Sequence, residues 1–401
     1  MTVAYVVSRF PHVSETFIVR EMDGVEAQGI DVLPRSLFPP ADATVHAAAE
    51  RWVPRLRRPS AREGLVAIAA YALRRPATVA RVVGAVVSGH ARSPRVLVRA
   101  LATLPLAAAL ARSFAADGVR HVHAHYATYP ALAAWAARRL ADVPYSFTAH
   151  AHDLYVDQSM LGAKVAEARF VVAISEFNRR FLEPYRGAGA PPVEVVHCGV
   201  DVTRTPFRER RPPASGPVRA LCVASLQEYK GHRVLLDALA HGGPGLERLH
   251  VDCVGGGALR DELEQRAAEL GLAERVRFLG PRREDDVAAL FDRADLFVLP
   301  SVVARDGQME GIPVALMEAL AHGVPAVSTA LSGIPELVRD GTTGLLARPG
   351  DAASLAAALR ALLDDPEAAA ARARAGRELV EREFDLAATS RRMAELLRDD
   401  G

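Results

Sequence analysis

Two series of short apolar runs, separated by helical patterns, limit what this chain can fold into more than any other feature of its sequence. The first series lies within residues 1–200 and the second begins at Val218. Such alternation is typical of parallel sheets covered by helices on both faces. It predicts two doubly wound α/β domains facing across a cleft, with ligands bound outside the carboxyl ends of the strands. The predicted strands are 2–7, 30–37, 119–125, 144–150, 168–175, 193–199, 218–225, 249–254, 275–280, 295–301 and 325–329.

The composition is that of an ordinary globular protein. Half of the 401 residues are hydrophobic and 24% are charged, which excludes a disordered chain or a disulfide miniprotein. The net charge of +1 gives no indication of a nucleic-acid partner. The longest uncharged apolar stretch, 100–111, is shorter than the about 20 residues that span a bilayer, and the N-terminus lacks signal-peptide features. We therefore expect a cytoplasmic protein.

The cysteines do not suggest a metal site. Cys198, Cys222 and Cys253 are odd in number and lack the spacing of metal ligands. We interpret them as buried apolar residues in a reducing compartment.

Charge is concentrated in one segment. Residues 51–112 contain twelve arginines and a single acid, Glu63, between apolar runs. This is the pattern of basic amphipathic helices. Two interpretations stay open: a surface that lies on an anionic membrane or holds a charged acceptor, and a helical insertion whose arginines are merely solvated.

The segment 310–318, EGIPVALME, carries the strongest indication of chemistry. Pro313 is predicted to be the first residue of a helix, because proline lacks the N–H that would be unsatisfied there. Glu310 then lies in the loop before the helix, and Glu318 on its second turn. Free amides and the positive end of the helix dipole suit a diphosphate. The amides left free at this helix start would be those of Ile312, Val314 and Ala315.

The segment 310–346 resembles the donor-binding motif of family 4 of the retaining glycosyltransferases, which have the GT-B fold. In that family, two glutamates separated by seven intervening residues are followed by Ala-x-Ala-x-Gly-x-Pro. The residues that match this tail are Ala319, Ala321, Gly323 and Pro325. The N-terminal segments 8–22, 121–131 and 147–155 resemble the exopolysaccharide, colanic-acid type subgroup. The resemblance covers nearly the whole chain except 40–115.

The resemblance implies a domain plan. An N-terminal acceptor-side domain would occupy 1–200, with the arginine-rich helical insertion at about 40–115. An interdomain linker at 201–217, rich in proline and arginine, would lead to a nucleotide-sugar-binding domain at 218–380. The last segment, 381–401, would be a helix that packs back on the N-terminal domain.

The resemblance also implies roles for individual residues. Glu310 would lie against the donor sugar, Glu318 would bind the ribose hydroxyls, and Lys230 would bind the diphosphate. Lys230 is one of only two lysines beside 47 arginines, and a compact ammonium group suits a phosphate. The residues expected to be catalytic are Glu310, Lys230 and His150, the last at the donor sugar. The residues expected to bind the donor are Glu318, Gly311, Ile312, Pro313, Val314, Ser225, Ser14, Glu15 and Thr16.

Two positions depart from the family pattern. Ser225 replaces an arginine that neutralises the leaving diphosphate, so either Lys230 and the helix dipole suffice, or Arg282 or Arg305 takes its place. The loop 11–16 replaces a glycine pair. Ser14 is a candidate N-cap of a helix over 14–29, with the amides of Glu15 and Thr16 facing the donor phosphate.

No metal or other cofactor is expected. The histidines His123, His125 and His152 lie near Asp153 in the predicted fold, but GT-B enzymes need no metal and the sequence contains no Asp-x-Asp pair. The expected partners are a nucleotide-sugar donor, a glycan, lipid-linked or small-molecule acceptor, and a membrane surface through 51–112, with peripheral attachment to its inner face. Nucleic acid is not expected.

The function implied is retaining transfer of a sugar to an acceptor hydroxyl. Two alternatives stay open: a degenerate, non-catalytic protein that binds glycan or nucleotide, and a nucleotide-sugar 2-epimerase. The missing arginine favours the first of these.

Overall fold

The structure, a computed structural model, describes residues 1–12, 15–40, 47–187 and 189–399. It divides the chain into two compact units. The first consists of Met1–His197 together with the segment that begins at Thr389, and the second is Cys198–Ala388. The first unit is therefore assembled from two separate stretches of the chain.

The first unit contains six parallel strands in the order β2-β1-β3-β4-β5-β6. Every residue of β3 and β4 is buried, as expected for parallel strands covered on both faces. The strands are β1 Thr2–Arg9, β2 Asp31–Phe38, β3 His121–His125, β4 Tyr145–Ala149, β5 Val171–Ala173 and β6 Val193–Val195. The helices are α1 Thr16–Ala27, α2 Ala47–Glu50, α3 Ala61–Arg74, α4 Pro76–Gly89, α5 Pro94–Ala116, α6 Tyr129–Ala141, α7 His152–Tyr155, α8 Leu161–Glu167 and α9 Glu176–Leu182.

Helix α1 differs from its prediction. It begins at Thr16 rather than at residue 14, and Glu15 is the residue that precedes it. The predicted N-cap, Ser14, lies outside the described residues. The apolar residues Ile18, Met22 and Val25 of α1 are buried, as the helical spacing predicts.

The arginine-rich segment forms helices α3, α4 and α5, which contribute to the first unit's core. Helix α3 begins with a capping box in which Ser60 and Glu63 satisfy each other's backbone amides. By length and composition, α5 is the one helix of the described chain that is long and apolar enough to cross a membrane. However, half of its most apolar window is buried within the fold, and Ala100, Leu104 and Ala107 belong to the core.

Several arginines of this segment pair with acids elsewhere in the unit. Arg51 and Arg55 both contact Glu26, and Arg75 lies 3.0 Å from Asp142. Pairing of this kind favours the interpretation of a solvated surface for these positions. Among the described residues, no carboxylate pairs with the arginines that flank the outer faces of α3 and α5, namely Arg62, Arg74 and Arg95.

The first unit also buries a lysine. Lys164 on α8 is 4% exposed, and its ammonium group donates to the carbonyl oxygen of Ala127. Burial lowers the pKa of Lys164 to about 8, although Asp157 and Asp153 oppose this effect.

The second unit contains another six-stranded parallel sheet, in the order β12-β11-β10-β7-β8-β9. Counted along this unit alone, the order is 3-2-1-4-5-6, that of a dinucleotide-binding fold, and the switch point lies between β7 and β10. The strands are β7 Val218–Val223, β8 Leu249–Val254, β9 Val276–Gly280, β10 Leu296–Leu299, β11 Ala326–Thr329 and β12 Leu345–Ala347. The helices are α10 His232–His241, α11 Arg260–Glu269, α12 Glu284–Phe291, α13 Val314–Ala321, α14 Ile334–Leu337, α15 Ala352–Asp364 and α16 Pro366–Glu383.

The segment expected to be a linker packs along the second unit. It contains no helix or strand in the structure, but Arg210 lies 3.4 Å from Asp292 and Glu209 lies 2.9 Å from Arg374. The division between the units falls before it, between His197 and Cys198.

The final helix, α17 Leu386–Arg398, passes from the second unit into the first. Its residues Met393 and Leu397 are buried in an apolar cluster with Ile18 of α1. A Cβ added at Gly24 of α1 would overlap Ser390, so α1 and α17 touch at this point.

Candidate active site

The switch point of the second unit brings together Lys230 and Glu310. Lys230 ends a short 3-10 turn, Glu228–Lys230, after β7, and Glu310 lies in the loop after β10. The ammonium group of Lys230 donates to Oε2 of Glu310, and each side chain is only 14% exposed. Burial alone would lower the pKa of Lys230, but the Glu310 carboxylate outweighs it and raises that pKa. Lys230 is therefore charged at neutral pH.

The loops that carry these two residues are joined to each other. The N–H of Val302 donates to the carbonyl oxygen of Tyr229 at 2.9 Å. Gly231, with a φ of +75°, packs so closely that an added Cβ would overlap the Pro300 carbonyl oxygen. The position of Lys230 relative to the loop after β10 is thus set by the backbone.

Helix α13 begins beside this pair. Pro313 precedes the first helical residue, Val314, rather than being the first helical residue itself, because its ψ of 126° is extended. Within the described chain, the amides of Val314 and Ala315 donate no hydrogen bond. Two free N–H groups and the helix dipole therefore face the loop of Glu310, and an anion would be stabilised there.

The other residues of the 310–318 segment support this helix start. Gly311, Ile312 and Pro313 are buried and hold the loop against the core. Glu318 lies on the second turn of α13 and is partly exposed. As the sequence predicts, the Glu310 carboxylate lies before the start of α13 and the Glu318 carboxylate lies after it.

Ser225 and the two candidate arginines lie at different points of this sheet edge. Ser225 follows β7 and is partly buried. Arg305, in the loop after β10, lies 3.5 Å from Glu228 in the turn that carries Lys230, and its side chain is 90% exposed. Arg282 follows β9, which is separated from β7 by β8. Arg305 is the arginine nearer the switch point in the topology.

In the loop after β1, the backbone N–H of Glu15 donates to the carbonyl oxygen of His12 at 3.2 Å. The contact of this amide with a donor phosphate stays a prediction. Thr16 is the first residue of α1 and is partly buried.

His150 follows β4 at the carboxyl end of the first unit's sheet and is 6% exposed. Its backbone N–H donates to the Asp153 carboxylate at 3.2 Å, and its backbone carbonyl accepts from the Asn178 side-chain amide at 2.9 Å. Its ring lies 4.9 Å from that of Phe17 and 4.7 Å from that of Tyr126, measured between centroids. These contacts fix the orientation of the histidine.

A buried polar network, which the sequence does not reveal, leads from α1 to this histidine. Nδ1 of His125 lies 3.1 Å from Nε2 of His150, and Nε2 of His125 lies 3.3 Å from Glu21. Glu21 also accepts a hydrogen bond from the Tyr5 hydroxyl at 3.1 Å. Glu21 is far from His125 in sequence, and only its place on the inner side of α1 brings them together.

Two of the histidines near Asp153, His123 and His125, have hydrogen-bond partners in the described part of the chain. Both ring nitrogens of His123 already meet hydroxyls, those of Ser146 at 2.8 Å and Thr148 at 3.0 Å. The Asp153 carboxylate accepts a hydrogen bond from the backbone N–H of Ala127 at 2.5 Å and so binds the loop after β3. The side chain of His152 lies outside the described part of the chain. Glu21, His123 and His125 are close enough to hold a metal ion, but the bonds of His123 occupy its ligand atoms.

Comparison with known proteins places this chain in a family. The family model described as "Glycosyl transferases group 1" matches residues 203–379, and that described as "Glycosyltransferase Family 4" matches residues 49–204. The 2-deoxystreptamine glucosyltransferase of Streptomyces kanamyceticus is 30% identical over 299 residues, which cover 69% of this chain and 75% of that protein. The chain belongs to glycosyltransferase family 4.

The family 4 match begins at residue 49 and so includes the arginine-rich segment 51–112. The putative colanic acid biosynthesis glycosyltransferase WcaL of Salmonella typhimurium is 38% identical over 218 residues, covering 53% of each chain. The match thus spans about half the length of this curated relative. The resemblance to family 4 and its colanic-acid type is confirmed.

The predicted fold is confirmed by solved structures. HepE of Anabaena, solved in complex with UDP, superimposes with a TM-score of 0.73 at 20% identity and covers 99% of both chains. At this identity the comparison concerns the GT-B fold alone, and each unit of this family 4 member is a Rossmann-like domain with a parallel six-stranded sheet.

Proposed function

We propose that this chain transfers a sugar from a nucleotide-sugar donor to a hydroxyl of a glycan, lipid-linked or small-molecule acceptor, with retention at the anomeric carbon. One observation carries the proposal. The Lys230–Glu310 pair lies beside the free amides of Val314 and Ala315, at the switch point of the sheet. A cation and free N–H groups suit a diphosphate, and a carboxylate beside them suits the sugar that it carries.

Donor binding would engage the second unit first. The diphosphate would lie against the amides at the start of α13 and form an ion pair with the ammonium group of Lys230, which is charged before binding. Glu318 would bind the ribose hydroxyls, as the family motif implies. That HepE, with the same fold, is solved in complex with UDP supports a uridine nucleotide as the first donor to test.

The reaction needs positioning and charge stabilisation more than a strong base. The acceptor hydroxyl would attack the anomeric carbon from the face that the nucleotide leaves. Its proton would pass to the departing phosphate oxygen. Lys230 and the α13 amides would stabilise the charge that grows on the diphosphate, while Glu310 would support the cationic sugar. His150, held by its network, would contact the donor sugar.

The positive charge that an arginine at position 225 supplies in the family would come from Arg305 in this chain. Its guanidinium is exposed, and its neighbour Glu228 belongs to the turn of Lys230. Movement of an exposed side chain from one anion to another requires no change in the backbone. Arg305→Ala should therefore slow transfer, whereas Arg282→Ala should not.

The acceptor and the setting are proposed from the relatives and from one exposed face. WcaL is named for colanic acid biosynthesis, which favours a glycan or lipid-linked acceptor. On α3, the side chains of Leu65, Val66 and Leu73 are 63%, 56% and 86% exposed, and they lie between Arg62 and Arg74. An apolar face flanked by arginines suits an anionic membrane surface. We propose peripheral attachment there, from the cytoplasmic side.

Membrane attachment is tested by co-sedimentation with phosphatidylglycerol vesicles and with neutral phosphatidylcholine vesicles. Leu73→Glu should abolish binding to the anionic vesicles, because it places a charge at the centre of the face. Val303→Glu, at a residue of the second unit that is 52% exposed, is the matched control. Equal binding of wild type to both vesicles, or none to either, would contradict the attachment.

The proposed transfer is tested with a panel of UDP-, GDP- and ADP-sugars. A donor that binds should raise the melting temperature, and its products should then be identified by mass spectrometry with and without acceptors. Glu310→Ala should reduce transfer by at least about a hundredfold while UDP binding persists, by analogy with the loss of a transition-state contact. Glu274→Ala, at an exposed loop residue of the same unit, is the control.

The products separate transfer from the two alternatives. Epimerised or free sugar formed without an acceptor would indicate a 2-epimerase. Nucleotide binding without turnover on any sugar would indicate a non-catalytic binding protein. Unchanged transfer by Glu310→Ala would show that the site is wrongly assigned.

A further inference from the structure

Two cysteines and a histidine meet inside the second unit, outside the groups used by the proposed reaction. Cys222 on β7 and Cys253 on β8 are paired in register. His232 is the first residue of α10, the helix that follows β7. The three residues are 0%, 1% and 3% exposed, respectively.

The fold explains why they meet. Residues directly paired on neighbouring strands point to the same face of a sheet. Cys222 and Cys253 therefore present their sulfur atoms side by side, and α10 begins above them. Nε2 of His232 lies 3.8 Å from Sγ of Cys222, and the ligand atoms of all three residues lie within 4.8 Å of one another.

These distances are close to those around a bound zinc ion. Zinc bonds of about 2.3 Å to sulfur and about 2.0 Å to nitrogen, at tetrahedral angles, place sulfur about 3.6 Å from nitrogen and sulfur about 3.8 Å from sulfur. The observed separation of 3.8 Å between Cys222 and His232 needs only a small closure.

The chemistry of the donor set selects the kind of ion. Thiolate sulfur prefers soft, thiophilic cations, and imidazole nitrogen accepts the same ions. Two thiolates, one neutral imidazole and Zn²⁺ together carry no net charge, which suits a site enclosed by the apolar core. Hard cations such as Mg²⁺ prefer oxygen ligands and are disfavoured here.

We propose that Cys222, His232 and Cys253 form a binding site for a thiophilic d10 cation, Zn²⁺ or Cu⁺. Binding would displace the protons held by the two sulfur atoms to the solvent and join β7, β8 and the start of α10 through the ion. The site does not depend on the proposed transfer reaction, although His232 lies two residues after Lys230.

The test uses the full chain, expressed in medium supplemented with Zn²⁺ or with copper, and also refolded under reducing conditions with Zn²⁺ or Cu⁺. Metal content is measured by mass spectrometry after desalting, and Co²⁺ is used as a spectroscopic substitute for Zn²⁺. We expect one ion per chain with at least one of the two metals, and a thiolate-to-cobalt absorption band with Co²⁺.

The variants identify the ligands. Cys222→Ser, Cys253→Ser and His232→Asn should each lower metal affinity at least tenfold, whereas Cys198→Ser should retain the ion, because this third cysteine is outside the cluster. Cys253→Val removes the ligand while keeping an apolar side chain, and so serves if the serine variants fail to fold.

Three results would overturn the proposal. The first is a wild-type chain that holds neither metal after every loading procedure. The second is metal content that Cys253→Val leaves unchanged. The third is a Cys222–Cys253 disulfide in the purified chain together with no metal uptake after its reduction.

Discussion

Lys230 donates to Glu310 across the switch point of the second unit, although the two residues lie on loops that follow different strands. Each side chain is 14% exposed, so water screens the pair only weakly. The pair thus holds the cation and the carboxylate of the site together. A diphosphate that engages Lys230 would leave the Glu310 carboxylate next to the sugar.

The first prediction concerns the energy of this pair. Lys230→Met and Glu310→Gln should each cost roughly 3 kcal/mol of unfolding free energy, since each leaves a mostly buried charge without its partner. The double variant should cost at least about 1 kcal/mol less than the sum of the two. Urea unfolding of the four chains measures this coupling.

The exposed pair of Arg233 and Glu262, 2.5 Å apart, is the control. Its side chains are 35% and 49% exposed, and its coupling should stay below about 1 kcal/mol because water screens it. Equal coupling in the two pairs would contradict the importance of burial at the switch point.

The second prediction concerns the turn that follows Lys230. Gly231→Ala should cost at least about 3 kcal/mol, because the left-handed backbone and the overlap with the Pro300 carbonyl add together. Gly341→Ala has a φ of +72° but nothing within 4 Å of the added Cβ, so it should cost only about 1–2 kcal/mol. Thermal or urea unfolding compares the two. Similar losses would mean that the approach to Pro300 is not a constraint.

The third prediction is that the first unit loses stability as the solution becomes more acidic. Burial lowers the pKa of His121 and of His123 well below 6.5. The unfolded chain therefore takes up protons below about pH 6.5 that the folded chain refuses, and stability falls as the pH falls. Between pH 7.5 and 5.5 each histidine should contribute a loss of about 1.4 kcal/mol.

The measurement is the difference in unfolding free energy between these two pH values. In His123→Gln, the part of this difference that comes from the two histidines should fall by about half. The cost of the substitution itself is the same at both pH values and cancels in the difference. His250→Gln, at an exposed residue of the second unit, is the control. An identical difference in His123→Gln and wild type would argue that His123 is not held neutral.

The fourth prediction concerns Lys164. With a folded pKa of about 8 against about 10.4 in the unfolded chain, the buried ammonium destabilises the fold at neutral pH. That penalty is relieved as the pH rises through 8 towards the unfolded value. The wild type should therefore gain about 1.5 kcal/mol from this group between pH 8 and 9.5.

Lys164→Met should remove this gain and should raise stability at pH 7 by roughly 1–2 kcal/mol, after the loss of the bond to Ala127 is counted. Lys164→Arg, whose side chain stays charged, should lower stability at both pH values. A methionine variant with the wild-type gain at high pH would show that another group titrates.

Most of the sheet architecture follows from the sequence, because apolar runs long enough to fill a parallel strand are visible in it. Nine of the strands lie within predicted runs, and β1 and β2 extend one or two residues past theirs. Strand β12, Leu345–Ala347, is missed because its three residues lie in no longer apolar run. The predicted start of α1 lies two residues before the observed one, because the apolar spacing does not mark where the first turn closes.

The site was predictable only where a local motif carries it. Residues 310–318 can be placed around a helix start because proline and the apolar spacing mark that start. The contacts of Glu21 with His125, and of Cys222 with Cys253 and His232, depend on which strands are neighbours and on their register. The spacing of residues along the chain shows neither which strands are neighbours nor their register. The sequence alone therefore predicts ordinary core cysteines.

The return of α17 to the first unit has a consequence for biosynthesis. Met393 and Leu397 cover apolar residues of α1, and the ribosome makes them only after the whole of Cys198–Ala388. Nascent chains would therefore carry an uncovered patch near Ile18 while the second sheet is still being made. Such a patch is the kind of surface that a chaperone would shield until synthesis is complete.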